Sequence, residues 1–459
     1  MNGIAGKLRA ALAVVVGKAL YGVGRLVGTR GSSLPGLVVL KLYPGLLGHF
    51  SHQLKHGAIL VTGTNGKTTT NNLMAQAMEK SGLRVVANRE GANLERGVAT
   101  AFIRAATITG ALRDFDWACL EADEAAFPKI CAAVKPSAVI VTNFFRDQLD
   151  RYWEIDKTVS IIRQSLEKLP GTIAVLNADD PLVAQLGLER PGTVYYGIGQ
   201  AQAGHDHPSL TREARFCPRC GAPFTYEFYH YSQLGMFSCP SCSFHRPNAQ
   251  VDLQSLTSRN GRFTCRILLD GESLEFTIPA AALYHVYNCL AVLASMRVVA
   301  VPISAIEWAL NHYRPATGRM QQFIFRGHPV RLNLVKNPAG FNENIALLKD
   351  LSETTGLYLA LNDNAADGRD VSWIWDVNIE ALEASAQLAP IVCSGRRAGD
   401  IALRLKYAGF AADRIAVEPD IPAAVASVLD RGHPVFCLAT YTALWPTEKA
   451  LRRLCPGKP

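Results

Sequence analysis

The stretch Val61-Thr62-Gly63-Thr64-Asn65-Gly66-Lys67-Thr68-Thr69-Thr70 decides how this chain folds. It overlaps the end of Ala58-Ile59-Leu60-Val61-Thr62, a short apolar run rich in β-branched residues that reads as a buried strand. A helical pattern follows from about Thr68 to Lys80. Glycines at such a strand-to-helix turn let the backbone bend tightly and aim N–H groups into one concavity. The helix N-terminus adds positive potential suited to phosphate oxygens. Lys67 would then hold the β and γ phosphates, and the Thr68 hydroxyl would ligate Mg²⁺. The shorter Gly-x-x-Gly-Lys-Thr form is present, because Val61 stands where the fuller pattern has its first glycine.

Beyond this turn the rhythm continues. Strands are predicted at Arg84–Ala87, Trp117–Glu121, Ala138–Thr142 and Ile173–Asn177, with helical patterns between them. Alternating strands and helices predict a parallel sheet covered on both faces. Short strands are predicted over 251–278 and a helix over 283–300. From about Arg314-Pro315 a second α/β segment begins, with strands at Leu357–Leu361 and Ile391–Cys393. The fold class is therefore α/β: a central phosphate-loop domain with a parallel-rich sheet, and a C-terminal Rossmann-like α/β domain. Expected bounds are 1–50 for a basic apolar helical segment, 51–314 for the central domain and 315–459 for the C-terminal domain. In the first segment, one or two helices break at Gly31-Ser32-Ser33-Leu34-Pro35-Gly36.

A segment at 203–250, rich in Cys, Pro, His and aromatics, interrupts the pattern. Cys217-Pro218-Arg219-Cys220 and Cys239-Pro240-Ser241-Cys242 form two knuckles separated by eighteen residues. Four thiolates at this spacing suit tetrahedral Zn²⁺, with no open position for water, which indicates a structural ribbon. His205, His207, His230 and His245 read as surface residues. The flanks, with Arg212, Arg215, Arg219 and Arg246, are too mildly basic to favour nucleic acid.

The chain is 459 residues long, 49% hydrophobic, with a formal charge of +8. Its first acidic residue is Glu79; before it come Lys7, Arg9, Lys18, Arg25, Arg30, Lys41, Lys55 and Lys67. Two readings of this basic apolar start stay open: helices packed on the core, or contact with an acidic membrane surface. The apolar run Ala10–Val16 is much shorter than the ~20 residues a bilayer requires. A cytoplasmic protein is expected, with a peripheral place at the inner face of the plasma membrane left open. Of eleven cysteines, the seven outside the knuckles (Cys119, Cys131, Cys265, Cys289, Cys393, Cys437 and Cys455) read as scattered thiols, not as a nucleophile.

The phosphate loop resembles the signature of the Mur ligase and folylpolyglutamate synthase superfamily. Further matches follow in order: Leu120-Glu121-Ala122-Asp123-Glu124, Thr142-Asn143 through Asp147-Gln148-Leu149-Asp150, Leu176-Asn177-Ala178-Asp179-Asp180-Pro181, Tyr284-His285-Val286-Tyr287-Asn288, and Gly318-Arg319. The resemblance implies that Gly63, Thr64, Asn65, Gly66, Lys67, Thr68 and Thr69 cradle ATP. It implies that Glu121 completes Mg²⁺ coordination with Thr68, that Asn288 contacts adenine, and that Arg319 reaches a phosphate. Gln148 replaces a family histidine, and Arg163 lies near a family lysine position, so the second Mg²⁺ site is open. Lys336 takes the place of a family histidine in Asn333-Leu334-Val335-Lys336-Asn337-Pro338 and would neutralise a transferring phosphoryl group.

Three features together resemble the MurT subunit family of lipid II isoglutaminyl synthase. They are Asp363-Asn364-Ala365-Ala366-Asp367-Gly368-Arg369-Asp370 with Ser372-Trp373-Ile374-Trp375-Asp376, the run Lys336–Glu343, and the cysteine insert. That resemblance implies ATP-dependent amidation of a stem-peptide glutamate α-carboxyl through an acyl phosphate. Ammonia would come from a separate GatD-type glutaminase, and lipid II would be met at the inner membrane face. One of Asp363, Asp367 or Asp370 would complete the partner's Cys-His pair. An amino-acid-adding ligase and a non-catalytic ATP-binding zinc-ribbon scaffold are the alternatives; no nucleic-acid partner is expected.

Overall fold

The computed structural model describes residues 4–26, 33–89, 91–146, 155–201, 213–259, 262–278, 282–313, 318–349, 353–383 and 387–455. The chain divides into two compact units. The first is Met1–Phe144, Ile155–His207 and Ala214–Tyr313; the second is Phe145–Glu154, Pro208–Glu213 and Arg314–Pro459.

The first unit is built on β1 (Gly57–Thr62), with Ala58, Ile59, Leu60 and Val61 fully buried. A continuous apolar run of this kind suits a central parallel strand covered on both faces. β1 lies between β3 (Trp117–Glu121) and β4 (Ala138–Val141), parallel to both, and β2 (Val85–Ala87) flanks β3. β5 (Ile173–Asn177), β6 (Val194–Ile198) and β9 (Val251–Arg259) extend the parallel sheet from β4. β10 (Arg262–Leu269) and β11 (Glu272–Ile278) close it as an antiparallel meander, giving nine strands. In β10, Phe263, Cys265 and Ile267 are buried while Arg262, Thr264 and Arg266 are not; this alternation marks a strand with one covered face.

α4 (Lys67–Lys80) follows β1 directly. The largely apolar helix Leu283–Val299 is buried over most of its length against α4 and strands β4, β5, β6 and β9. The N-terminal region contains three helices: α1 (Ile4–Leu26), α2 (Leu34–Leu42) and α3 (Leu46–Ser51). Of the break expected at Gly31–Gly36, Gly31 and Ser32 lie outside the described residues and Ser33 precedes α2, but Leu34, Pro35 and Gly36 form the first turn of that helix. Proline suits that position because its missing N–H has no intrahelical partner to lose. Glycine is required at 36, since a Cβ there would meet the Arg96 carbonyl oxygen at 1.8 Å. Arg96 belongs to α5 (Glu95–Ala105).

The second unit holds a six-stranded sheet. β12 (Gln321–Phe325) and β13 (His328–Leu334) form a hairpin through Arg326-Gly327, with φ of 47° and 87°. Two positive φ angles define the turn whose twist matches a two-residue hairpin. β13, β17 (Val435–Ala439), β14 (Gly356–Ala360), β15 (Ile391–Ser394) and β16 (Ile415–Val417) are parallel throughout. This is the Rossmann-like arrangement expected from sequence, and in sheets of this kind ligands gather beyond the carboxyl ends of the strands.

Candidate functional site

The phosphate loop fills the turn between β1 and α4, and its shape depends on two glycines. Gly63 has φ of 114°, and a Cβ there would lie 2.4 Å from Thr142 Oγ1. Gly66 has φ of 88°, and a Cβ there would lie 2.2 Å from Asn288 Oδ1. Only glycine tolerates both the backbone and the approach. Asn288, on the helix Leu283–Val299, is thus held directly against the loop.

Asn143 fixes the first half of the loop. Thr64 N–H donates to its carbonyl oxygen at 2.8 Å, and Asn65 N–H donates to its Oδ1 at 2.9 Å. The Thr142 hydroxyl donates to the Asn65 carbonyl at 2.7 Å. These two amides are therefore engaged inside the protein, contrary to the simple picture of every loop N–H facing phosphate. The first turn of α4, beginning at Lys67, is the candidate source of donors instead. Thr70 N–H is bonded back to Gly66 at 2.9 Å, and the N–H groups before it have no intrahelical acceptor.

Lys67 is buried, and its ammonium donates to the carbonyl oxygens of Gly63 and Thr64 and to Glu124 Oε1 at 3.2 Å. Glu124 was not assigned a role from sequence. It lies 57 residues from Lys67, and only the β1–β3 pairing brings the two together.

Glu121 ends β3 opposite Val61 and is 2% exposed. Asn93 Nδ2 donates to its Oε1 at 3.1 Å, whereas its Oε2 is buried without a hydrogen-bond donor. Asn88 clamps the same residue, accepting from its N–H at 2.8 Å and donating to its carbonyl at 2.8 Å. A buried carboxylate oxygen without a donor fits a cation. Thr68, the other residue the sequence assigns to Mg²⁺, is buried in the first turn of α4.

The four cysteines converge. The Sγ atoms of Cys217, Cys220, Cys239 and Cys242 all lie within 4.8 Å of one another, with 217–242 at 3.6 Å and 220–239 at 3.4 Å. Zinc–thiolate bonds near 2.3 Å in a tetrahedron place sulfurs about 3.8 Å apart, so the donor set fits Zn²⁺. Beneath the knuckles Phe224, Phe237 and Phe244 pack ring to ring at 5.2 to 5.8 Å, and this aromatic cluster is continuous with the core of the first unit.

β7 (Thr225–Tyr231) and β8 (Leu234–Ser238) form the ribbon hairpin, whose tip reaches the phosphate-loop support. Gln233, fully buried, donates to the Phe144 carbonyl at 2.6 Å. Phe144 N–H in turn donates to Asp180 Oδ2 at 2.8 Å. Burial pushes the Asp180 carboxyl up to about 7, despite hydrogen bonds from Phe144, Leu182 and Gln233 that favour its anion. Next to it, Asp179 accepts from Arg246 Nε at 2.6 Å, the Tyr287 hydroxyl at 2.6 Å and Ile198 N–H at 2.7 Å. Arg246 also binds Asp252 at 2.8 Å; burial opposes its charge, but the two carboxylates outweigh it and hold the guanidinium charged. Arg246 is thus an internal strut, and His230 is also buried, bonded to the Ile198 carbonyl at 3.0 Å; it is not a surface residue. His245 is exposed as expected, and His205, His207 and Arg212 lie outside the described residues.

In the second unit, the loop after β14 carries the three candidate aspartates. Asp363 binds Arg396 at 2.9 Å and Arg397 at 2.8 Å; these guanidiniums outweigh its desolvation and lower its pKa. Asp367 is buried, with both oxygens engaged by Thr442 and one also by Asn364 N–H at 3.2 Å. Asp370 accepts from Ser372 N–H at 2.8 Å through Oδ1. Trp373 is buried, but Trp375 is 49% exposed, edge-on to Tyr407. Lys336 is half-buried after β13, beside Asn337, whose Oδ1 accepts from Gly340 N–H at 2.8 Å. Arg319 is half-buried between Gly318 (φ 75°) and Met320 (φ 53°). Gln148 lies outside the described residues, and Arg163 sits on an exposed helical face bonded to Gln185.

The nine-stranded sheet, the phosphate loop and the buried Glu121 define a ligase of the Mur type. Residues 61–215 match the Mur ligase middle domain and residues 334–444 the MurT ligase C-terminal domain. A pseudomurein peptide ligase type C from Methanothermus fervidus has a similar fold: TM-score 0.65 at 19% identity, covering 87% of this chain and 79% of that one. The chain is 34% identical over 445 residues to the lipid II isoglutaminyl synthase (glutamine-hydrolyzing) subunit MurT of Staphylococcus aureus (strain COL), covering 97% of this chain and 98% of the relative. The same-named subunit of Streptococcus pneumoniae is 32% identical, over 95% of this chain and 96% of the relative. The chain belongs to the MurT family.

Proposed function

We propose that this chain is the synthetase subunit of a lipid II isoglutaminyl synthase. It would activate the D-glutamate α-carboxylate of the lipid II stem peptide as an acyl phosphate, which ammonia converts to D-isoglutamine. The observation that carries the ATP-dependent step is the buried, donor-free Oε2 of Glu121 at the end of β3, the strand paired with β1, which leads into the glycine loop and the buried Lys67. The names of relatives matched along nearly the whole chain support the substrate.

A carboxylate resists attack because its leaving group would be oxide; phosphorylation supplies a better one. Lys67 would draw charge from the γ-phosphoryl group, the first turn of α4 would hold the phosphate oxygens, and Asn288 would meet the adenine. Thr68 and Glu121 would hold Mg²⁺, which supplies charge neutralisation between the phosphates. Arg319 and Lys336 would stabilise the transferring group. In this reading residues 51–314 form the ATP-binding domain, with the zinc ribbon at 203–250 inside it. Residues 315–459 meet substrate and a GatD-type glutaminase.

A separate ammonia source is supported by the state of the thiols. The seven cysteines outside the knuckles are all buried. Burial pushes Cys131, Cys265 and Cys393 up to about 12, far from a reactive thiolate. Among the candidate aspartates, Asp367 is buried and committed to Thr442, whereas Asp363, although paired with Arg396 and Arg397, and Asp370 are half-buried and better placed to serve the partner. The test is co-purification with a glutaminase, followed by amidation of a lipid II-type substrate. Dependence on ATP and glutamine, with no added amino acid, is expected; a requirement for an amino acid would indicate an amino-acid-adding ligase instead.

A further inference from the structure

The outer face of α1 is apolar and basic at once. Gly17 turns inward, where a Cβ would meet Ile103 of α5 and Val39 of α2 at about 3 Å, and Ala10, Ala13 and Val14 are buried on the same side. Opposite them Leu8 (66% exposed), Leu12 (62%), Val15 (49%), Val23 (58%) and Leu26 (88%) are in the open. At about 100° per residue these five, with exposed Ala19, fall within a sector roughly 80° wide. From Leu8 to Leu26 the stripe runs about 27 Å at 1.5 Å per residue. Exposed Lys7 and Arg25 lie along one shoulder and exposed Arg9 on the other. The loop after α5 packs against α1 at Gly110, where a Cβ would meet Ala11 N at 2.9 Å; Ile108 in that loop is 70% exposed.

No helix among the described residues is long and apolar enough to cross a membrane. A stripe of leucines and valines flanked by cations is instead the pattern of a helix lying in a bilayer's interfacial plane. Charge selects the occupant. No acidic residue precedes Glu79, so neither α1 nor α2 carries one. On the loop after α5, Asp114 faces Arg84 at 3.6 Å and Asp116 binds Lys55 at 3.0 Å.

We infer that the outer face of α1 is a docking surface for an anionic lipid bilayer, inserting Leu8, Leu12, Val15, Val23 and Leu26 among the acyl chains and setting Lys7, Arg9 and Arg25 against lipid phosphates. The inference rests on the proposed function for its purpose, because a lipid-borne substrate is reached by an enzyme lying on the same surface.

The test is co-sedimentation of the full chain, alone and with its glutaminase, with vesicles of phosphatidylglycerol and phosphatidylcholine and with pure phosphatidylcholine. Wild type should bind the anionic vesicles, and raised salt should weaken binding. The double substitution Leu8→Glu/Leu12→Glu should lower binding about tenfold or more while leaving Tm and nucleotide affinity unchanged, since both side chains are exposed. Absence of binding to anionic vesicles, or binding indifferent to the double substitution, overturns the inference. So does loss of the glutaminase complex in the double variant, which would make the face a protein interface. A water-soluble stem peptide separates the two readings. If the inference holds, the double variant amidates this peptide like wild type but slows on the vesicle-borne substrate. If wild type amidates neither, the proposed function fails and the vesicle result stands alone.

Discussion

Gln233 links the zinc ribbon to the nucleotide loop, and its removal gives a measurable consequence. Its amide donates to Phe144 at 2.6 Å; Phe144 adjoins Asn143, which holds Thr64 and Asn65. Gln233→Ala leaves the Phe144 carbonyl in a fully buried setting without this donor, at about 1–3 kcal/mol. Each 1.4 kcal/mol is about tenfold in affinity. If the displaced loop carries the whole penalty, Mg-ADP binding weakens between about 5-fold and 150-fold by titration calorimetry. Zinc content should not change, because the cysteines are untouched. Gln233→Glu should be worse, placing a carboxylate beside buried Asp180. A fall in Tm with unchanged Mg-ADP affinity would refute the link and leave Gln233 a purely stabilising residue.

Three further outcomes follow from the same geometry. Glu124→Gln takes the anionic partner from a buried Lys67, costing on the order of 3 kcal/mol; phosphate replaces that charge, so Mg-ADP should raise Tm more in the variant than in wild type, and equal shifts would contradict this. Cys239→Ser should abolish zinc binding, measured by metal analysis, and lower Tm; a stable variant without zinc would show that the aromatic cluster alone holds the ribbon. Burial pushes Glu343 up to about 8, above its ordinary 4.5, so the folded state keeps this proton longer than the unfolded chain. Stability from this group is then full below pH 4.5 and falls as pH rises towards 8, by as much as about 5 kcal/mol. Glu343→Gln should flatten that slope in denaturant melts; an unchanged slope would place the effect elsewhere.

Local features were legible in the sequence, and contacts across long stretches of chain were not. The phosphate loop showed because one strand, two glycines and one helix start are contiguous. The knuckles showed because cysteine spacing encodes their geometry. The Lys67–Glu124 pair, the Gln233–Phe144 bond and the Arg246–Asp179 pair span 57, 89 and 67 residues, so only the folded sheet assembles them. His230 was misread as a surface group because a short polar insert normally faces water; here the insert docks on the Asp179-Asp180 turn, which also engages Arg246. The helix start at Leu34 was missed because Pro-Gly usually signals a break, while packing on Arg96 makes it an entry.

The decisive measurement uses ¹⁸O-labelled glutamate α-carboxylate in the stem-peptide substrate, with ATP, glutamine and the glutaminase present. We expect one labelled oxygen in the phosphate released per amide formed, because an acyl phosphate hands that oxygen to its leaving group. Amide formation with unlabelled phosphate would contradict activation of the carboxylate by the loop around Lys67.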